Sequence, residues 1–133
     1  MTLEVTGLSV RYAGPGGGAP AVHGASFRVH RGETVALVGE SGCGKTTVAL
    51  AVLSLLSRGG HVVAGEIRFR GRDLSKLGER EMRAILGAEI GVVFQDPLAA
   101  FDPVHTIGDH LREALRGEPG LSRDARAERV IHL

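Results

Sequence analysis

Hydrophobic and polar residues alternate with period two in two early segments, Leu3 to Tyr12 and Ala25 to Val29. This alternation predicts two half-buried strands. Residues 13–21 between them are rich in Gly and Pro, which hold neither a strand ladder nor a helix. The sequence therefore predicts two strands joined by a flexible surface loop.

The pattern changes after residue 32, where TVALVG (34–39) forms a short continuous apolar run. Such a run is typical of a strand that is buried on both faces of a sheet. A glycine-rich stretch follows, and TTVALAVLSLL (46–56) then predicts about three turns of helix that end at RGG (58–60). The order is strand, glycine-rich loop, helix.

The remaining segments predict one more half-buried strand, one more buried strand and three helices. The strand segments are GEIRFRG (65–71) and EIGVVF (89–94). The helical segments are DLSKLGEREMRAIL (73–86, after a turn), HTIGDHLREALRG (105–117, with Ile107, Leu111, Ala114 and Leu115 on one face) and SRDARAERVIHL (122–133, with Ser122 as N-cap).

Composition excludes several classes of protein. With 133 residues, 43% of them hydrophobic and 23% charged, the chain has the make-up of an ordinary soluble domain. The net charge of +1 indicates no basic face for nucleic acid. Val48 to Leu56 is too short for a spanning helix, and the alternating first segment does not resemble a signal peptide. A single cysteine, Cys43, rules out an intramolecular disulfide, so we expect a cytosolic protein.

The glycine-rich stretch GESGCGKTT (39–47) fits the phosphate-binding pattern G-x-x-x-x-G-K-[ST] between a predicted strand and a predicted helix. Glycines let successive N–H groups point inward toward phosphate oxygens at the positive end of the helix. Lys45 would reach the β- and γ-phosphates, and the Thr46 hydroxyl would bind Mg²⁺. The candidate nucleotide-binding residues are Gly39, Glu40, Ser41, Gly42, Cys43, Gly44, Lys45, Thr46 and Thr47.

Cys43 allows two interpretations. It is either a small loop residue without a chemical role or a thiol that the helix N-terminus makes reactive.

GESGCGKTT together with VVFQDPLAAFDP (92–103) resembles the ATP-binding subunit of ABC transporters, within the dipeptide, oligopeptide and nickel importer group. The resemblance runs along the whole chain and implies an α/β P-loop NTPase fold in its N-terminal portion. It implies one incomplete domain with three parts: an antiparallel β part (1–32), a P-loop core with a partial parallel sheet (33–95) and the beginning of a helical subdomain (96–133).

The resemblance also implies roles for two residues outside the loop. Tyr12 is similar to the aromatic residue that stacks on adenine, although it also suits cross-strand packing. Gln95 is similar to the glutamine that contacts Mg²⁺ and the attacking water, although it also suits the end of a strand. Lys45 and Gln95 are then the catalytic candidates, Thr46 and Gln95 the metal ligands, and ATP and Mg²⁺ the cofactors.

The partners that the resemblance implies are membrane-embedded permease subunits and a second ATP-binding subunit, at the cytoplasmic face of the membrane. Ala100, Phe101 and Asp102 differ from the serine, leucine and asparagine usual in this group, which leaves the transported solute open.

Three further elements of the family are absent from the sequence. It contains no signature loop of the L-S-G-G-Q type, no second apolar strand ending in Asp-Glu, and no switch histidine beyond it. We therefore expect a truncated chain that lacks transport and hydrolysis on its own. Two alternatives stay open: a nucleotide-binding remnant without turnover, and a small stand-alone P-loop NTPase or kinase that uses Asp96 for the metal.

Overall fold

The structure is a computed structural model that describes residues 2–14, 18, 20–96, 101–115, 120 and 122–132. It contains two compact units, Met1–Met82 and Arg83–Leu133. The division into 1–32, 33–95 and 96–133 stays a prediction. Among the described residues, no helix has the length and apolar character needed to cross a membrane.

The first unit is built on a four-stranded sheet in which every neighbouring pair is antiparallel. The strand order is β2-β1-β3-β4. The strands are β1 (Leu3–Tyr12), β2 (Pro20–Val29), β3 (Gly60–Phe69) and β4 (Arg72–Asp73). The predicted first strand is confirmed. The second and third begin earlier than predicted. For β2 the reason is its edge position, which tolerates a proline that cannot donate to a ladder.

A bulge lets both halves of β1 face the core. The buried residues Val5, Leu8 and Val10 change parity between 5 and 8, so a regular strand would turn one half toward solvent. The pairing register shifts at this point, and Gly7 adopts a φ of 62°. Gly65 of β3 lies opposite with a φ of 96°, where a Cβ would stand 2.6 Å from the Gly7 carbonyl oxygen. The bulge therefore depends on two glycines that meet across the strands.

Helix α1 (Lys45–Val52) packs against β1, β2 and β3. The core of this unit consists of strand residues Val5, Leu8, Val10, Val22, Ile67 and Phe69, helix and turn residues Val48, Ala51, Val52 and Leu53, and Leu74 and Met82 further along.

Helix α1 ends earlier than the predicted residue 56. Ser54 adopts a φ of 55°, and its N–H donates to the Ala51 carbonyl at 3.1 Å. The Leu55 N–H donates to the Leu50 carbonyl at 2.8 Å. These two bonds form a Schellman motif, which satisfies carbonyls of the last turn and stops the helix.

A row of alternating charges crosses the outer part of the sheet. Register places Arg28 of β2 opposite Glu4 of β1, Glu4 opposite Arg68 of β3, and Arg68 opposite Asp73 of β4. The Arg28 guanidinium pairs with the Glu4 carboxylate at 2.8 Å. Opposite charges on directly facing residues favour this register over a shifted one.

A 3₁₀ turn (Leu74–Lys76) and α2 (Glu79–Ile85) follow β4. In the second unit, α3 (Ile107–Ala114) begins with a capping box between Thr106 and Asp109. In α4 (Arg123–Ile131), the Ser122 hydroxyl accepts from the Ala125 N–H at 3.2 Å, which confirms the predicted N-cap. The predicted apolar face of α3 is only partly correct: Leu115 is buried, but Ile107 is 70% exposed.

The two predicted buried strands are wrong for this structure. Residues 33–40 and 91–94 have no regular secondary structure, and Val38 and Val93 are 92% and 93% exposed. An apolar run favours burial, but a strand also needs a neighbour for its N–H and C=O groups. Among the described residues, neither segment pairs with a strand of the sheet.

Candidate functional site

The glycine-rich loop lies between the irregular segment 33–40 and the start of α1. Gly42 and Gly44 adopt φ values of 82° and 95°, which side-chain-bearing L residues rarely take. The Cys43 N–H donates to the Glu40 carbonyl at 3.3 Å and closes a turn. Gly42 and Gly44, two of the three glycines of the predicted phosphate loop, thus lie where the backbone conformation favours glycine.

Gly44 places the loop directly against β2. It is the N-cap of α1, and an ideal Cβ on it would lie 2.5 Å from the Ala21 carbonyl oxygen and 3.1 Å from Val22 Cγ2. Val22 is buried and faces Val10 in the ladder. The first turn of the helix therefore rests on a well-anchored part of the sheet.

The N-terminus of α1 suits an anion. No side chain caps it, and its first turn contains no acidic residue. The free N–H groups and the helix dipole together give a partial positive charge at this end. Phosphate groups bind at such positions because they accept several N–H bonds at once.

Lys45 reaches back across the loop. Its Nζ donates to the Gly39 carbonyl at 2.8 Å and to the Glu40 carbonyl at 2.6 Å. It also lies 3.4 Å from Cys43 Sγ. A phosphate between the lysine and the helix N-terminus would offer this ammonium a charged acceptor in place of neutral carbonyls. The loop residues therefore fit a phosphate group.

The remaining residues of the loop lie at its surface. Glu40, Ser41, Cys43 and Thr46 are exposed, and Thr47 is half-buried. The position of a Cβ on Gly39 would lie 2.6 Å from Cys43 Sγ, so the thiol lies over that glycine. The reactive-thiol interpretation stays a prediction.

Tyr12 ends β1 and faces Gly60 of β3. Its half-buried ring packs on the backbone of that glycine, because an ideal Cβ there would lie 2.6 Å from Tyr12 Cε1. The neighbouring Ala13 N–H donates to the Gly59 carbonyl at 2.8 Å. The cross-strand contact is present, and the stacking on adenine stays a prediction.

Gln95 and Asp96 belong to the second unit, where both are exposed and follow an irregular segment. The interpretation of Gln95 as the end of a strand is wrong, because residues 91–94 directly before it form no strand. Pro97 and Ala100 lie outside the described residues. Within the described part of the chain, no group of three or more His, Cys, Asp or Glu is placed to hold a metal ion. The metal-binding roles of Thr46 and Gln95 stay predictions.

The sequence is similar to a known protein family and to named transport proteins. The model of the ABC transporter family matches residues 22–133. The dipeptide transport ATP-binding protein DppD of Bacillus subtilis is 42% identical over 98% of this chain and 39% of its own length. The oligopeptide transport ATP-binding protein OppD of Mycobacterium tuberculosis is 42% identical over 98% of this chain and 21% of its own length. The chain thus spans about two fifths or less of these relatives.

Solved structures show the same fold. The dimeric post-hydrolysis state of the ATP-binding cassette MJ0796 bound to ADP and Pi superposes with a TM-score of 0.79, at 20% identity, over 98% of this chain and 54% of the other. A bacterial Atm1-family ABC exporter with ATP bound gives a TM-score of 0.58, at 27% identity, over 92% and 19%. The fold is that of the N-terminal portion of an ABC ATPase domain, which confirms the predicted fold class, although the four described strands pair antiparallel and do not form the predicted partial parallel sheet. The chain belongs to the ABC transporter family.

Two contacts of the site were not predicted from the sequence. The Ala21 carbonyl touches Gly44 through backbone atoms, so no side-chain signal marks it. Gly60 contacts Tyr12 because of the β1–β3 register. The pattern of residues within each strand does not specify how β1 and β3 pair with each other.

Proposed function

We propose that this chain binds ATP through residues 39–47 and is the nucleotide-binding part of an ABC importer ATP-binding subunit. The observation that carries the proposal is the position of Lys45, whose ammonium reaches across the loop at a helix N-terminus that no side chain caps. In the complete protein, binding and hydrolysis of ATP would drive the import of peptides or related solutes. The names of the DppD and OppD relatives support that solute class.

The assembly that we propose follows from the same relationship. A second ATP-binding subunit and membrane-embedded permease subunits are the partners, at the cytoplasmic face of the membrane. The solved relative described as a dimeric ATP-binding cassette supports the pairing of two such chains.

Within the site, backbone N–H groups of the loop and Lys45 bind the β- and γ-phosphates. The Thr46 hydroxyl binds Mg²⁺, which neutralises phosphate charge when bound. Gln95 is the residue that would contact the metal and orient water, because its side-chain amide does not titrate. Tyr12 stacks on the adenine base.

A titration of ATP and Mg²⁺ into the purified chain tests the proposal, with binding measured by calorimetry. Lys45→Ala should lower the affinity at least tenfold, because a charge-assisted contact to phosphate is lost. Lys76→Ala is the matched control, since Lys76 is the only other lysine and pairs with Asp73 at 2.8 Å, away from the loop. Equal affinities for the wild type and Lys45→Ala would contradict the phosphate-binding role.

The metal requires its own comparison. Thr46→Val keeps the shape of the side chain but removes the hydroxyl, so it should weaken ATP binding in the presence of Mg²⁺ and leave binding in EDTA unchanged. Loss of affinity under both conditions would place the hydroxyl on the phosphates instead of the metal.

A further inference from the structure

Tyr12 and Gly60 contact each other across β1 and β3, and a role for this contact rests on the proposed nucleotide-binding function. The β1–β3 register places the two residues directly opposite each other. The position of a Cβ on Gly60 lies 2.6 Å from Tyr12 Cε1 and 3.1 Å from Cδ1. Carbon atoms at van der Waals contact are about 3.5–4.0 Å apart, so the ring occupies the space of a side chain at position 60.

Gly60 is not explained by backbone strain. The neighbouring Gly59 has a φ of 86°, in the left-handed region that favours glycine. The φ of Gly60 lies outside that region. Its backbone conformation therefore accepts an alanine. The one feature that excludes a side chain at this position is the space around it, which the Tyr12 ring and the Ser57 carbonyl oxygen at 3.1 Å fill.

The backbones on both sides of the contact are held in place. The Ala13 N–H donates to the Gly59 carbonyl at 2.8 Å, next to Tyr12. The Gly60 N–H donates to the Ser57 carbonyl at 2.9 Å and closes the turn before β3. With both strands fixed, the part that can move to accommodate a new side chain is the aromatic ring.

We infer that Gly60 is a positioning residue for base recognition: its missing side chain lets the Tyr12 ring lie on the β3 backbone, in the orientation that stacks on a planar aromatic base. Gly60 itself touches no nucleotide. It acts through Tyr12, and it distinguishes nucleotides with a base from bare polyphosphates.

The chain provides an internal reporter for this contact. Tyr12 is the only tyrosine and the chain has no tryptophan, so tyrosine emission reports on one ring in the full chain. Near-ultraviolet circular dichroism does the same at wavelengths longer than the bands of the four phenylalanines. The ligand-free Gly60→Ala variant should show a changed near-ultraviolet signal. Gly78→Ala is the matched control, since its φ is also outside the left-handed region and its Cβ would meet an ordinary 3.6 Å contact.

Two probes separate the base from the phosphates. In the wild type, ATP should quench Tyr12 emission and bind more tightly than inorganic tripolyphosphate. Gly60→Ala should lose about tenfold in ATP affinity, within the range for base–aromatic stacking, together with most of the quenching. Its tripolyphosphate affinity should stay within about twofold of the wild type, because the loop 39–47 is untouched. Gly78→Ala should change neither affinity.

A double-mutant cycle completes the test. Tyr12→Ala should weaken ATP binding about tenfold, and adding Gly60→Ala to it should cause no further loss. If Gly60→Ala does not fold, removal of the ring by Tyr12→Ala in the same chain should restore folding, and failure to do so overturns the inference. Unchanged ATP affinity and quenching in a folded Gly60→Ala overturns it as well. A wild type that binds neither probe refutes the proposed function instead.

Discussion

The contact between Gly44 and β2 predicts a measurable difference between two glycines of one loop. Gly44→Ala and Gly42→Ala both place an alanine at a left-handed φ, at 95° and 82°. Such a conformation costs an L residue about 1–2 kcal/mol. The loss of glycine entropy in the unfolded chain favours both variants to the same extent, so it cancels in the comparison.

Only the Gly44 variant also meets a steric barrier. Its Cβ would lie 2.5 Å from the Ala21 carbonyl oxygen, whereas a Cβ on Gly42 has no atom within 4 Å. Because the oxygen belongs to a backbone, relief requires a shift of β2 or of α1, and forced overpacking costs about 1–3 kcal/mol. We expect Gly44→Ala to lower the free energy of unfolding by about 1–3 kcal/mol more than Gly42→Ala does.

Urea unfolding followed by far-ultraviolet circular dichroism measures both values, with the slope m as a check that the unfolded state is unchanged. A loss of stability that is equal in the two variants would refute the reasoning. It would mean that the start of α1 does not rest on β2.

Three further predictions concern the sheet and the end of α1. Glu4→Lys should lower the free energy of unfolding by about 1–2 kcal/mol, because it places a third positive charge between Arg28 and Arg68, and Glu4→Gln by less than about 1 kcal/mol. The Lys76 ammonium and the Ser75 hydroxyl lower the pKa of Asp73 from 3.8 to about 2, so stability should fall as the pH drops from about 4 to about 2. Ser54→Gly should raise the free energy of unfolding by about 0.5–1 kcal/mol, since glycine accepts the φ of 55° without strain.

Each of these predictions has its own control. The difference between the Glu4 variants should shrink in 1 M salt, and a salt-independent difference would contradict an electrostatic cause. Asp73→Asn should remove its part of the acid dependence, because an amide does not titrate; an unchanged acid profile would be evidence against the Asp73 assignment. Ser57→Gly, at a residue without a positive φ, should lower stability where Ser54→Gly raises it.

The candidate site was predictable as far as it depends on neighbours in the chain. The pattern from Gly39 to Thr47 predicted the glycine turn and the helix that follows it, because a few consecutive residues fix both. The first strand, Leu3–Tyr12, was predicted with its observed bounds. Its bulge between Val5 and Leu8 was not predicted, because a regular alternation over Leu3 to Tyr12 contains none.

The two missed strands show where prediction from local pattern stops. The apolar runs around Val38 and Val93 were predicted as buried strands, but both residues are exposed. The apolar composition of these segments indicates only that their side chains favour burial. Whether a strand forms is decided by a partner strand that accepts and donates its hydrogen bonds, and that partner comes from elsewhere.

By itself, the sequence determined the phosphate loop, the alternation of β1 and the cap of α4, since each depends on residues a few positions apart. Tertiary structure alone decided that Gly44 rests on Ala21, that Tyr12 packs on Gly60 and that Arg28, Glu4, Arg68 and Asp73 form one row. Apart from the pairing of Arg68 with Asp73, which are close in the chain, these contacts join residues that are about 20 to 65 positions apart. They exist because strand register, which arises when the whole sheet assembles, brings distant backbones together.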